Sequence, residues 1–529
     1  MRLVQTIQIC ATCLLLSTIA CARSGSAISL VSDAEVAQTQ SPATTVQSFT
    51  AVEGTDLSSR LEAARQRARS AQTPYWSAYS FDVRPGVAVD PWINEFNGNM
   101  NTSGDTSVFV GTTAGGVTVE TRNLAIFLLR DPGGQQITRM EIYNLERKRE
   151  YAGYPVYWLG RANNEESLNY LRTIIDAAPL SILAERAVLG ISLHDDARVA
   201  PTLKNFIRTS PNQRIRSSAI YWLGQVGGEQ AFLADIVRND AEDKKFRRQA
   251  AHAIGESKDR GALNTLQSLY DVVKDPDIRR SIIQAAGNNQ ETEAAFSFLL
   301  KVARNEPDRD ARRAAVRQLG QFGTDAAVDE LMKIYSSETD IDVKRAALQG
   351  LAQTKNAKGQ ARLLEVARTD PNPDLRRQAI NRLPERGEAV VDDLIKLYDS
   401  ERVPEVRRAV LQALSQTKST RAEDKLFQIA RDDSSVDLRR HAIRLLGERA
   451  GKRSIEFLSA TAQSPDANTE VQLQAVRAIS ARTADESVPL LIKIARTHAN
   501  PLVRKQAIRS LGESGDPRAV EFFREVLTK

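Results

Sequence analysis

Apolar residues recur through most of this chain in a pattern that repeats every 31, 32 or 33 residues. Each copy begins with an apolar anchor residue and has apolar residues five and eight positions later; four positions after the anchor comes alanine, except for Ile282 and Val410. These positions cover about 140° of a helix, so the pattern predicts one buried helical face per copy. The anchors are Leu183, Ile215, Phe246, Ile278, Ala311, Val343, Leu375, Val406, Leu438, Val471 and Val503.

Each anchor helix is followed by a second amphipathic segment, for example TDAAVDELMKIY at 324–335. Two helices in one such short unit cannot bury their apolar faces alone, so the copies must stack on one another. A glycine nine residues after many anchors is expected to end the anchor helix as its C′ residue. The segment YPVYWLG at 154–160 indicates a further copy ahead of Leu183, which makes about twelve copies.

Ahead of the repeats, the apolar pattern changes to alternation with a period of two residues. Short alternating runs end at turns that contain glycine and proline; NLAIFLLR at 123–130, for example, runs into DPGG at 131–134. This pattern predicts a small antiparallel β domain over 74–146, arranged as a sandwich-like meander. Residues 28–73 are rich in Ser, Thr, Ala and Gln, which predicts a flexible leader with one short helix at 56–72.

The first 27 residues have the composition of a signal peptide. Arg2 precedes an apolar run that extends from Ile9 to Ala22 and is too short to span a bilayer. We therefore expect an exported protein, periplasmic or secreted, without a transmembrane span. The segment STIAC also resembles a bacterial lipobox, in which Cys21 would carry lipid. Simple export is favoured, and a membrane-tethered lipoprotein stays open as the alternative.

The repeated copies share the motif [DE]-h-R-R-x-A-h-x-x-L-G, where h is an apolar residue; SVDLRRHAIRLLGER is one instance. This motif resembles the HEAT repeat, and most closely the short HEAT-like units first associated with phycobilin lyases, over 147–529. The resemblance implies a mainly α fold, a right-handed α-solenoid of about twelve two-helix HEAT-like repeats, preceded here by the small antiparallel β domain. It implies little about function, because this architecture serves many unrelated roles.

The first basic residue of the motif lies about 100° from the anchor, inside the apolar arc. We expect a structural role for it, and we take the acid before the anchor as the N-cap of the helix. The resemblance implies a ladder in which this arginine and that acid pair between neighbouring repeats. The acids are Asp277, Asp310, Asp342, Asp374, Glu405, Asp437 and Glu470, and the basic residues are Arg216, Arg247, Arg279, Arg312, Lys344, Arg376, Arg407, Arg439 and Arg504.

The second basic residue lies outside the apolar arc, so stacking should place these residues in an exposed row about 10 Å apart. One interpretation is a cationic stripe that binds an acidic partner or an anionic envelope polymer. The other, which is favoured, is a solvated face balanced by acids in adjacent loops, such as Asp275 and Asp370. The stripe comprises Arg248, Arg280, Arg313, Arg345, Arg377, Arg408 and Arg440.

The sequence predicts no catalytic residue, no metal site and no cofactor. All three cysteines lie in the first 21 residues, and no HExxH, P-loop or nucleophile-elbow motif is present. A HEAT-repeat hydroxylase binds its di-iron centre through repeated His-Glu pairs, but none of the four histidines here precedes a glutamate. The segment His194-Asp195-Asp196 is expected to cap a loop rather than to hold a cation.

Charge gives no sign of nucleic-acid binding. Removal of residues 1–27 takes away two arginines and no acid, which lowers the formal net charge from +6 to +4. The sequence therefore favours a non-enzymatic protein–protein interaction scaffold in the bacterial cell envelope, which binds a protein partner, acidic if the stripe is its site, through the extended solenoid surface. Two alternatives stay open: a small-molecule-handling or lyase-type chaperone, and a lipid-anchored structural envelope protein.

Overall fold

The computed structural model describes residues 49–89, 108–109, 119–146, 151–177, 182–289, 292–449, 451–465 and 468–528. The predicted signal peptide and the lipobox residue Cys21 lie outside these residues. The chain divides into two compact units, Met1–Val199 and Ala200–Lys529. None of the helices in the described residues has the length and apolar character that a bilayer crossing needs.

Unit 1 contains a five-stranded sheet and, separately, a three-stranded antiparallel sheet. The strands are β1 Thr50–Ala51, β2 Tyr75–Ser80, β3 Ala88–Val89, β4 Val108–Phe109, β5 Val119–Glu120, β6 Leu124–Arg130, β7 Ile137–Asn144 and β8 Val156–Arg161. The larger sheet has the order β1-β8-β2-β6-β7, and the smaller has the order β4-β3-β5.

The larger sheet is mixed, so the prediction of a purely antiparallel β domain was wrong. Strand β8 pairs in parallel with both β1 and β2, whereas β2, β6 and β7 pair antiparallel. The predicted boundaries 74–146 were too narrow, because strands from 50 to 161 complete the sheet. The predicted flexible leader, 28–73, is likewise structured from Thr50 onwards, since β1 adds to the sheet.

The segment YPVYWLG is strand β8, so its interpretation as a twelfth repeat was wrong. Val156, Tyr157 and Trp158 are β-branched or aromatic residues, which fit a half-buried sheet surface. Gly160 has a φ of 73°, which is incompatible with an α-helix. Neighbouring β2 supplies hydrogen-bond partners for this segment, and this tertiary pairing decides its conformation.

Among its described residues, unit 1 has the helices α1 Leu57–Ala68, α2 Asn164–Ala177 and α3 Ile182–Ser192. Helix α1 is the short helix predicted in the leader, and Asp56 caps it by accepting a hydrogen bond from the Ser59 backbone N–H. Helix α3 contains the first anchor, Leu183.

Unit 2 is a stack of helix pairs, which confirms the repeat solenoid. Its anchor helices are α5 Gln213–Val226, α7 Lys244–Glu256, α9 Pro276–Gly287, α11 Arg309–Leu319, α13 Ile341–Gln353, α15 Pro373–Asn381, α17 Pro404–Gln416, α19 Val436–Glu448, α21 Thr469–Ser480 and α23 Pro501–Ser514. The second helices are α4 Val199–Thr209, α6 Gln230–Arg238, α8 Ala262–Val272, α10 Thr292–Asn305, α12 Asp325–Ser337, α14 Ala357–Thr369, α16 Val391–Ser400, α18 Thr420–Asp432, α20 Lys452–Gln463, α22 Ala484–Thr497 and α24 Pro517–Leu527. Short 3-10 segments occupy Gly320–Phe322 and Pro384–Val390.

The helix starts differ from the prediction by two residues. The N-cap lies three residues before the anchor, as in Asp275, whose carboxylate accepts hydrogen bonds from the N–H groups of Asp277 and Ile278. The acid directly before the anchor is therefore the second helical residue rather than the cap. In that position its negative charge still interacts favourably with the positive N-terminal end of the helix dipole. The two basic residues of the same turn interact unfavourably with that end.

The glycines nine residues after the anchors are not C′ caps, because most of them lie within the anchor helices. A Cβ on Gly224 would lie 2.8 Å from the Cβ of Ala253 on the next anchor helix. A Cβ on Gly255 would overlap the backbone of Ala285 in the same way. Glycine is present at these positions because it lets successive anchor helices pack closely.

Candidate functional site

The first basic residue of the motif joins a repeat to the next one in five of the copies, Arg216, Arg279, Arg312, Arg376 and Arg407. Arg376 donates two hydrogen bonds to the Glu401 carboxylate, at 2.9 and 3.1 Å, and one to the carbonyl oxygen of Asp370 at 2.9 Å. Its side chain is 11% exposed and that of Glu401 is 8% exposed. Equivalent ion pairs join Arg216 to Glu242, Arg279 to Glu306, Arg312 to Glu338, and Arg407 to Asp433.

The partner acid differs from the prediction. It lies four or five residues before the next anchor, in the loop that follows a second helix, and not directly before the anchor. Burial acts to raise the pKa of Glu401, but the Val403 N–H, the Arg376 guanidinium and the Arg402 N–H outweigh burial and lower it overall. Glu401 is therefore held as a carboxylate that fixes both the ladder and the loop.

A column of tyrosines also contacts these loop acids, and the sequence analysis missed it. The hydroxyls of Tyr270, Tyr335 and Tyr398 donate to loop carboxylates at 2.7, 2.5 and 2.8 Å. The acceptors are, in the same order, Glu306, Asp370 and Asp433. A signal was present in the sequence, because these tyrosines and their acids recur at 63 to 65 residues, which is twice the repeat spacing.

The predicted stripe lies half-exposed on the outer face of the anchor helices, but acids interleave with its arginines. The second basic residue of a motif pairs with the acid three residues earlier on the same helix: Arg313 with Asp310 at 2.9 Å, Arg345 with Asp342 at 3.0 Å, Arg377 with Asp374 at 2.8 Å, and also Arg280 with Asp277 and Arg440 with Asp437. Contacts of 3.8 to 3.9 Å continue between repeats, through Arg280–Asp310, Arg309–Asp342, Arg408–Asp437 and Arg440–Glu470. We call this row of alternating charges the charge zipper.

The charge zipper corrects the expectation that loop acids balance the stripe. Asp275 pairs instead with Lys244 at 2.7 Å, and Asp370 accepts from the Tyr335 hydroxyl. Arg248, the first residue of the stripe, is exposed and has no ion pair among the described residues. Binding of an acidic partner by the stripe stays a prediction.

A second row on the same face consists of side-chain amides. These residues lie six or ten positions after the anchors of five successive repeats, and we call the row the amide belt. It comprises Gln284, Asn288, Gln321, Gln349, Gln353, Asn381, Gln412 and Gln416. Across the described parts of the chain these eight side chains make no hydrogen bond, and most are exposed or half-exposed.

Unit 1 contains a buried serine–histidine contact. The His194 Nδ1 donates to the Gly190 carbonyl at 2.7 Å, so its Nε2 accepts from the Ser167 hydroxyl at 2.8 Å. Burial lowers the pKa of His194 to about 4. A nucleophile and its base would share this contact, but Ser167 is fully buried and no substrate can reach it. The contact instead joins α2 to the segment that follows α3, and the Tyr79 hydroxyl, 3.1 Å from the Ser167 hydroxyl, extends it to β2.

A polar cleft of about 420 Å³ opens at one edge of the larger sheet in unit 1. Asp82 and Arg161 form an ion pair on its wall, and Arg122 lies 4.0 Å from Asp195. Nearby, the Asp196 carboxylate accepts a hydrogen bond from the Arg198 backbone N–H at 2.9 Å. The segment His194-Asp195-Asp196 therefore caps a loop. In the described ranges, no group of three His, Cys, Asp or Glu side chains could hold a metal ion.

Comparison with known proteins identifies one family in the repeat region. A family model described as HEAT repeats matches residues 231–312, 296–383, 360–447 and 455–529, which together exceed half of the chain. No curated protein matches the chain. The matched ranges all lie in unit 2.

Several solved structures resemble the chain at low identity. Human deoxyhypusine hydroxylase in complex with glycerol is 14% identical, over 54% of this chain and 96% of that one, with a TM-score of 0.23. Yeast importin-beta (Kap95p) is 12% identical over 69% of this chain, with a TM-score of 0.33, and the match covers 59% of its own length. The complex of CpcE and CpcF of phycocyanin lyase from Nostoc sp. PCC7120 is 18% identical, over 50% and 92%, with a TM-score of 0.21.

Proposed function

The chain belongs to the HEAT-repeat family, and from this premise we propose that it is a non-enzymatic protein–protein interaction scaffold of the bacterial cell envelope. The observation that carries the proposal is the outer face of the anchor helices. From α9 to α17 this face is uncovered by any other described element, while the inner faces of the same helices are buried. A face repeated at about 10 Å intervals offers a long surface with regular chemistry, which suits an extended contact with another protein.

The absence of accessible reactive groups supports a binding role over an enzymatic one. Within the described residues, the contact between Ser167 and His194 is buried, and the ladder arginines are held by ion pairs to loop carboxylates. Most arginines of the stripe are likewise paired with acids in the charge zipper. What this face offers to a partner is hydrogen bonding and shape rather than a reactive centre.

The envelope location rests on the predicted signal peptide. We expect the mature protein to begin after Ala22 or Ala27 and to carry no modification. Mass spectrometry of the mature N-terminus checks this expectation, since a diacylglycerol adduct on Cys21 would instead support a lipid-anchored envelope protein. Recovery of uncleaved protein that begins at Met1 from envelope fractions would contradict removal of a signal peptide during export.

The stripe hypothesis is tested by affinity capture from envelope extract, followed by a titration of each purified captured protein. The test variant is Arg345→Glu/Arg377→Glu/Arg408→Glu. The matched control, Arg304→Glu/Arg362→Glu/Arg421→Glu, reverses exposed arginines that form ion pairs on second helices. A protein that binds the unmodified scaffold and the control, but not the test variant, places its site on the stripe.

Two other outcomes have different meanings. Saturable binding by all three proteins keeps the scaffold and contradicts the stripe as its site. If no purified protein binds the scaffold saturably, the interaction function fails.

The cleft in unit 1 favours one second candidate, a small-molecule-handling role. Its walls carry charged groups of both signs, as a zwitterionic or polar small molecule would require. Thermal-shift screening of small polar metabolites against the intact protein tests this role. A hit that is lost in Arg161→Ala would support it, and a hit unaffected by that change would contradict the cleft as the site.

A further inference from the structure

We propose that the amide belt binds an extended polypeptide segment through the main chain of that segment. This inference rests on the proposed scaffold function and names the part of the face that binds and the kind of partner. The charge zipper and the amide belt lie on the same face but differ in how their side chains are paired. The arginines of the charge zipper pair with its acids, whereas the eight amides of the belt make no side-chain hydrogen bond to any residue that the structure describes.

The spacing of the belt fits an extended chain. Positions six and ten after an anchor are one helical turn apart on the same face, about 6 Å from each other. Successive anchor helices are about 10 Å apart, which equals about three residues of extended chain at about 3.3 Å each. Five repeats therefore present amides along about 40 Å, the length of about twelve extended residues.

The chemistry of the belt fits main-chain groups. A side-chain amide carries a donor and an acceptor, as a peptide group does, so it can pair with the free N–H and C=O groups of an extended segment. A helical partner could not use the belt in this way, because its main-chain groups are already paired within the helix. The partner segment must therefore be extended and must lack main-chain pairing of its own.

Small residues between the amides leave room for such a segment. The position three residues after the anchor is Ser281, Ala314, Ala346 and Ala409 in four of the five repeats, and all four are buried. Gln378 is the exception in α15. Because these side chains are small and buried, they do not cover the exposed and half-exposed amide side chains of the belt.

The belt has defined ends and little charge. Arg317 and Glu385 are the two charged residues at these positions. Beyond α9 the equivalent residues are His252 and Glu256, and beyond α17 they are Arg444 and Glu448. A charged partner would find no matching row of opposite charge along the belt, which favours recognition of the main chain over recognition of acidic side chains.

The test uses the full-length mature protein and a dye-labelled, uncharged peptide of twelve residues that alternates threonine and asparagine. A matched peptide carries N-methyl groups at alternate residues, which removes main-chain donors and keeps every side chain. Fluorescence anisotropy should show saturable binding of the first peptide and at least tenfold weaker binding of the second. Raising the NaCl concentration from 0.05 to 0.5 M should change the dissociation constant less than threefold.

The belt variant is Gln349→Ala/Asn381→Ala/Gln412→Ala, and it should weaken the binding of the first peptide at least tenfold. The matched control, Asn205→Ala/Asn264→Ala/Gln428→Ala, removes three exposed amides from second helices and should leave binding within twofold. Alanine is a good helix former, so both variants should keep the circular dichroism spectrum of the parent protein.

Each contrary outcome has one meaning. Equal binding of the methylated and unmethylated peptides, or equal binding by the belt and control variants, overturns main-chain recognition by the belt. Tighter, salt-sensitive binding of an aspartate-containing peptide overturns it in favour of the stripe. If the scaffold binds a purified folded partner but no peptide, this inference fails while the proposed function stands; binding of neither contradicts both.

Discussion

Arg376 and Arg377 are adjacent in the sequence but have different surroundings, because one residue of helix turns a side chain by about 100°. Arg376 is nearly buried and forms a two-bond contact with Glu401, whereas Arg377 is 41% exposed and pairs with Asp374. Removal of one partner from a buried pair costs about 3 kcal/mol, while an exposed pair contributes less than about 1 kcal/mol. Arg376→Ala should therefore lower the urea midpoint, followed by circular dichroism, far more than Arg377→Ala. Equal shifts would contradict the assignment of the ladder.

His194 should make unit 1 sensitive to mild acid. Its pKa is about 4 in the folded protein and about 6.5 when unfolded, so between these values only the unfolded chain takes up the proton. Stability therefore falls as pH falls from 6.5 to 4, by roughly 3 kcal/mol from this group. His194→Gln should remove most of this slope in thermal melts followed by tryptophan fluorescence.

His441 supplies the control for that experiment. Burial, Arg444 and Arg408 lower its pKa to about 4 as well, but it lies in unit 2. His441→Gln should leave the acid sensitivity of the Trp76 and Trp158 signal unchanged. An unaltered pH slope in His194→Gln would contradict the role given to His194.

For single residues, the sequence predicted which side chains face inwards and which face outwards, but not the partners with which they form ion pairs. The apolar arc placed Arg376 and Arg377 correctly, since the angle around a helix depends only on the count of residues. Glu401 was missed because it lies in a connection, where no helical period applies, and only stacking brings it to Arg376. Pairs such as Arg377–Asp374 were open to prediction, because residues three apart on a helix are neighbours.

The same four residues, Tyr-Trp-Leu-Gly, form a strand at 157–160 and part of a helix at 221–224. Local sequence therefore could not decide between a repeat and a sheet at this point. Pairing with β2 decides the first case, and packing against the next anchor helix decides the second. The mixed order of the sheet was missed for the same reason, since strand pairing over 80 residues leaves no local pattern.

Two glycines in equivalent helical positions should respond oppositely to alanine. At Gly255 a Cβ would overlap the Ala285 backbone, whereas at Gly512 it would meet nothing within 4 Å. Gly255→Ala should lower the melting temperature by several degrees, because the neighbouring helix must move. Gly512→Ala should raise stability by up to about 1 kcal/mol through helix propensity. Differential scanning calorimetry measures both, and a loss of stability in both variants would contradict this account of the glycines.

The start of unit 1 should also be needed for its stability. A flexible leader over 28–73 would make residues 28–56 dispensable for thermal stability, but this segment includes β1, the buried Val52 and the helix cap Asp56. Its deletion should lower the melting temperature of unit 1, measured by tryptophan fluorescence. Asp56→Ala isolates the cap and should cost about 1 kcal/mol. An unchanged melt in the deletion variant would show that β1 adds nothing to the sheet.

Across unit 2, each repeat contacts the repeats next to it, so local stability should vary along the chain. The apolar residue five after the anchor is 0% exposed in α17, where it is Leu411, but 42% exposed in α23, where it is Ile508. Hydrogen exchange followed by mass spectrometry should therefore show faster exchange in α23 than in α17. Equal protection of the two helices would indicate one cooperative unit.

The ladder has a consequence for the evolution of this protein. Each ladder arginine needs only an acid in the next repeat, and that acid recurs at the same place in consecutive copies from Glu306 to Asp433. Duplication or loss of one whole repeat within this region would therefore leave every arginine matched. Such an event would lengthen or shorten the amide belt by about 10 Å without new packing. Recombination of whole repeats can therefore change the length of the binding face without any substitution in the residues that line it.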